Sequence, residues 1–164
     1  MAGEVLKSLL IRITELTARK REFLEDVLRL TSEQSGFLVP EKSGELLAVI
    51  ERKQACLDGI NNLDGEIALL EKEIISIAGV STLAEGGNIF GAAWETIDGL
   101  RGEISSLLQE IQSLDSQNRR SINEEWRKLK KSMEATRKRR VSTRAYTHRG
   151  TTTQSGGCFI DKRK

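Results

Sequence analysis

The chain has 164 residues, 30% of them charged, 38% apolar and only 4% aromatic, with 26 Lys and Arg against 24 Asp and Glu for a formal charge of +2. One Pro (Pro40), one His (His148) and two Cys (Cys56, Cys158) give no disulfide framework, no zinc-ligand set and little for acid–base work, so no cofactor, no metal and no enzyme is expected. No apolar run is long enough to span a bilayer and Met1-Ala2-Gly3-Glu4 opens no secretory leader, so a reducing cytoplasmic setting and long helices are the expectation.

The apolar spacing predicts three long helices. The first, about residues 3–32, carries a seam with steps of three and four: Leu6, Leu9, Ile13, Leu16, Lys20, Phe23, Val27 and Leu30. Thr31-Ser32-Glu33-Gln34-Ser35-Gly36 ends it. Pro40 disfavours helix at Val39 and suits a first turn, so a second helix is expected over 41–78. Its seam runs Leu46, Val49, Lys53, Cys56, Ile60, Leu63, Ile67, Leu70, Ile74 and Ile77, and Gly79 reads as the residue that ends it. Thr82 with Glu85 forms a capping-box pattern for a short helical segment near 82–86. Asn88 is a candidate cap for the third helix, 89–136, whose seam is Ile97, Leu100, Ile104, Leu107, Ile111, Leu114 and Asn118.

A 3.5-residue repeat of this length is a coiled-coil signature. Leu10, Leu24, Leu28, Ile50, Leu57, Leu69 and Leu108 widen the stripes, which suits helices facing two neighbours. The second helix alone would be about 57 Å long, against a radius of gyration of about 15 Å for a compact globule of this size. The expected fold is therefore all-α: an elongated, antiparallel, coiled-coil-like bundle of three helices over 1–136. A flexible basic tail, 137–164, should follow, since Thr151-Thr152-Thr153-Gln154-Ser155-Gly156-Gly157 has nothing to bury. That tail carries +8 and the preceding residues −6.

Beyond Asn118 the third seam changes step. Ile122, Trp126, Leu129 and Met133 follow with extra fours, a stutter that turns the apolar face. The stripe reads either as ordinary core or, because the third helix outlasts the other two, as a surface for a partner helix. Lys20 and Lys53 either snorkel to the rim of their seams or fix the pairing register. Gly59, Gly65, Gly99 and Gly102 mark close helix approach or local flexibility. Cys56 reads as a small seam hydrophobe, Cys158 as a free thiol and His148 as a solvated residue. The run Arg137-Lys138-Arg139-Arg140 suits a helix C-terminus. As a polyanion site it is weak, because no aromatics are interleaved to stack on bases.

Three segments together resemble the FlgN family of flagellar export chaperones. The first is Ile50-Glu51-Arg52-Lys53-Gln54-Ala55-Cys56-Leu57-Asp58-Gly59-Ile60-Asn61-Asn62-Leu63, similar to that family's second helix with its Lys-Gln pair followed by Leu, Ile and Leu at helical spacing. The second, Leu114-Asp115-Ser116-Gln117-Asn118-Arg119-Arg120-Ser121-Ile122, resembles the family's Leu-Asn-x-x-Asn-x-x-Leu-Ile stretch, with Asp115 and Ser121 departing from it. The third places Tyr146 four residues before Gly150 and closes on Phe159-Ile160-Asp161-Lys162-Arg163, like the family's tail. Lys53, Gln54, Leu57, Ile60, Leu114, Gly150 and Asp161 are the positions that carry the match.

The resemblance implies a cytoplasmic, non-enzymatic chaperone. It would bind the terminal helical segments of hook-filament junction proteins, prevent their premature assembly and deliver them to the export gate. Joined to the stripe reading, it predicts substrate binding by Ile122, Trp126, Leu129 and Met133 with Asn118 setting polar register. Docking to the export apparatus then falls to Tyr146, Arg139 and Arg140. No nucleic-acid partner and no stable membrane insertion are expected, and self-association stays open. The alternatives are a structural coiled-coil scaffold, or a polyanion-binding protein acting through its basic tail.

Overall fold

A computed structural model describes residues 2–150, with side chains for 3–146. Every regular element among them is helical: α1 (Ala2–Gln34), α2 (Ser43–Ala78), α3 (Gly87–Phe90) and α4 (Ala92–Gly150), with 3₁₀ turns at Ser35–Phe37 and Pro40–Lys42. The chain divides into two compact units, Met1–Ile122 and Asn123–Lys164. Within the described residues no helix is long and apolar enough to cross a membrane.

In the first unit the seams meet as the spacing predicts. One core cluster joins Leu10 and Ile13 of α1 to Ile74 of α2 and Ile97 of α4. A second joins Leu24 and Val27 to Ile60, Ile104 and Ile111. The start of α1 thus meets the end of α2 and the early part of α4, so the three run up, down and up. The widened stripes are used unequally. Leu10 and Leu24 are buried, whereas Ile50, Leu69 and Leu108 stay exposed, as does the last seam position of α2, Ile77.

The joints follow local chemistry. Pro40 opens the turn before α2 and Val39 ahead of it is extended. Gly79 closes α2 in the left-handed region (φ 67°), donating its N–H to the Ile75 carbonyl at 3.0 Å. One capping-box contact forms, the Glu85 N–H donating to Thr82 Oγ1 (3.2 Å), while Glu85 Oε2 accepts from the Ser81 N–H (2.9 Å) in place of that of Thr82. They stabilise turns, however, and not the short helix expected near 82–86. The helical turn falls one step later, at α3, because Phe90 and Leu83 must both reach the first core cluster. Asn88 accordingly lies inside α3 and caps nothing. Gly91 (φ 55°) makes the corner, and its carbonyl accepts the N–H groups of Trp94 and Glu95 that open α4.

Helix α4 continues to Gly150, past the end expected at 136. Residues 137–149 contain no Pro or Gly, and their Arg and Lys are good helix formers. Of the four glycines inside predicted helices, Gly59 alone marks a close approach, since a Cβ there would stand 3.0 Å from the Phe23 ring. A Cβ at Gly65, Gly99 or Gly102 would meet open space.

Candidate functional site

The two lysines that interrupt the seams each find a carboxylate on a neighbouring helix. Lys20 Nζ of α1 lies 2.6 Å from Asp64 Oδ1 of α2, and Lys53 Nζ of α2 lies 2.6 Å from Asp115 Oδ1 of α4. Arg21 pairs with Glu103, and Arg101 with Glu71 while its guanidinium sits over the Trp94 ring. Such pairs contribute about 0–1 kcal/mol each, but they are made only in one register. Both ammonium groups thus reach a carboxylate partner from a seam position. This also accounts for Asp115, one of the two departures from the family stretch.

Asn118 is buried, and its Nδ2 donates to the Thr31 carbonyl at 2.9 Å. Thr31 lies in the last turn of α1, where carbonyls lack helical partners, and its hydroxyl is occupied by Val27 O. Asn118 therefore locks α4 to the end of α1, and the polar role expected of it toward a substrate is spent inside the bundle. Asn118→Ala should cost about 1–3 kcal/mol, because it strands a buried carbonyl. Urea unfolding checks this, and a loss below about 0.5 kcal/mol would mean the carbonyl is satisfied by water.

Past Asn118 the stripe leaves the core. Ile122, the last residue of the first unit, is half-buried. In the second unit Trp126 is 66% exposed, Leu129 39% and Met133 64%. With Asn123, Arg127 and Lys130 they line one shallow groove along α4. A second groove on the same helix is lined by Met133, Thr136, Arg137 and Arg140 among others, and a third by Arg137, Lys138 and Val141. Val141, 63% exposed, escapes a seam reading because it stands as an isolated apolar residue within a basic run.

The docking trio expected in the tail separates. Tyr146, 77% exposed, stands seven positions after Arg139 and shares its face of α4, on the opposite side from Trp126 at 3.6 residues per turn. Arg140 lies instead in the groove with Met133. Lys128 is held by Glu125 at 2.7 Å, and that hydrogen bond raises its pKa above the ordinary lysine value.

The remaining motif positions are structural where they are described. Gln54 Nε2 donates to Asp58 (2.9 Å), Ile60 is buried, Leu57 and Cys56 pack against the second cluster, and Leu114 is half-buried. Burial pushes the Cys56 thiol up, as for a seam hydrophobe. Gly150 ends α4. Asp161, Cys158 and the rest of 151–164 lie outside the described residues, as does the His148 side chain.

The family model described as FlgN protein matches residues 1–154, which takes in every described element. The chain belongs to the FlgN family. Membership implies a flagellar export chaperone. No curated protein and no solved structure matches it. For a FlgN chaperone the division of labour along α4 is the informative feature. Up to Asn118 its buried seam residues, such as Ile97, Ile104 and Ile111, pack against α1 and α2, and from Trp126 onward its large apolar residues are exposed.

Proposed function

We propose that the Trp126–Leu129–Met133 face of α4 receives the terminal helical segment of a hook-filament junction protein in the cytoplasm, keeps it from assembling early, and releases it at the export gate. The carrying observation is the exposure of Trp126 and Met133, seven positions apart on one helical face with Leu129 between them. Large apolar side chains at that spacing, bordered by Arg127 and Lys130, suit an amphipathic helix packed against this face of α4. The bound segment gives up conformational entropy on ordering, which keeps affinity moderate and release possible. Capture of a junction protein's terminal segment by the full chain tests this. Trp126→Ala with Met133→Ala should abolish it, and undiminished capture would remove this face from the function.

The opposite face, with Arg139 and Tyr146, is free to meet the export apparatus while the substrate is held. Tyr146→Ala should keep substrate capture and lose secretion of the junction protein in a complementation assay. Loss of capture instead would place Tyr146 in the substrate surface.

A further inference from the structure

The apolar face of the second unit changes character along its length. Trp126, Leu129 and Met133 are followed, at the same helical spacing, by Arg137 and Arg140, and Met133 shares a groove with both arginines. Both are exposed, and neither makes an ion pair among the described residues. Over 123–150 there are ten Lys and Arg against three Asp and Glu. An apolar partner alone would leave this cationic extension without a counterpart.

A second copy of the chain does not supply one. An antiparallel copy that sets Trp126 against Met133 brings Arg140 opposite Arg119, and a parallel copy brings Arg137 opposite Arg137. Like charges facing each other oppose both arrangements.

Resting on the substrate face proposed above, we infer that the segment bound there is an amphipathic helix whose apolar stripe gives way to a cluster of Asp or Glu, and that Arg137 and Arg140 read those acids. The apolar residues supply most of the affinity. The arginines set which stripe is accepted, since charge pairs at a rim contribute more to partner choice and to association rate than to raw affinity. Arg suits the role because its planar guanidinium binds a carboxylate through two parallel hydrogen bonds.

Two synthetic helical peptides test this on the full chain, with the same Leu stripe followed by a Glu cluster in one and a Lys cluster in the other. The Glu peptide should bind roughly tenfold tighter at low salt, and the gap should narrow as salt rises. Arg137→Glu with Arg140→Glu should invert the preference, with helix content unchanged by circular dichroism. Equal binding of the two peptides, or a preference that survives the charge reversal, overturns the inference. So does binding of phosphatidylglycerol vesicles, lost on charge reversal, in a chain that ignores peptide charge. A dimer that dissociates on Met133→Asp, again without peptide preference, assigns the face to a second copy and also overturns it. The two readings fail separately. If Trp126→Ala/Met133→Ala loses the junction segment while the charge reversal changes nothing, the substrate face stands and acid recognition falls. If neither variant affects capture, both fall.

Discussion

Ile97→Ala should lower the stability of the bundle by about 3 kcal/mol and its melting temperature by about 6–12 °C. Ile97 is fully buried in the first core cluster, among Leu10 and Ile13 of α1, Ile74 of α2, and Leu83 and Phe90 of the segment that precedes α4. Three long helices and the turn region all contribute to its surroundings, so none can move in to fill a void without leaving the others. That places the cost well within the usual range for a buried Ile reduced to Ala, where lost transfer energy and the remaining cavity add. Thermal unfolding followed by the helical circular-dichroism signal measures it. A shift under about 2 °C would mean that α4 is not held at this point.

A larger truncation on the same helix should do the opposite. Trp126→Ala with Met133→Ala should leave the melting temperature within about 2 °C of the parent, because both side chains are about two-thirds exposed and their removal opens no cavity. The same change should weaken binding of a junction-protein segment by about a hundredfold or more. A Trp anchor at an interface is commonly worth 2 kcal/mol or more, and each 1.4 kcal/mol is a factor of ten. Isothermal titration of wild-type and variant chains reads the affinity, and calorimetry on the same samples reads the stability. A variant that melts early and binds normally would return Trp126 to the core. Together, Ile97 and Trp126 separate the two uses of α4.

The helical class and most of the core were legible because a 3.5-residue seam is a local property of the chain. Ile13, Leu16, Val27, Ile60, Ile74, Ile97 and Ile104 are all buried where the steps of three and four place them. The left-handed Gly79 and the turn at Pro40 were legible for the same reason, since each follows from one residue's own backbone. Leu69 and Leu108 were misplaced because hydrophobicity says nothing about whether a neighbouring helix covers that flank. Asn88 and the 82–86 segment were misplaced because Phe90 and Leu83, in reaching the core, decide where that connection turns. Asn118 was the sharpest case. As a polar residue on a seam it invited a functional reading, and its partner, the Thr31 carbonyl, lies 87 positions away.

A near-zero net charge was the first thing the composition offered, and it hides an opposition. Residues 1–122 carry 13 Lys and Arg against 20 Asp and Glu, while 123–164 carry 13 against 4. The sequence by itself determined that asymmetry, the helices and the stripe that continues past Asn118, because charge and periodicity need no partner to be defined. Only the tertiary structure decided which part of one continuous stripe is core and which is surface. Ile97 and Met133 both lie in apolar stripes of helical spacing, yet Ile97 is fully buried and Met133 is 64% exposed. Burial is a property of the packed neighbours, so it appears only once distant segments are brought together.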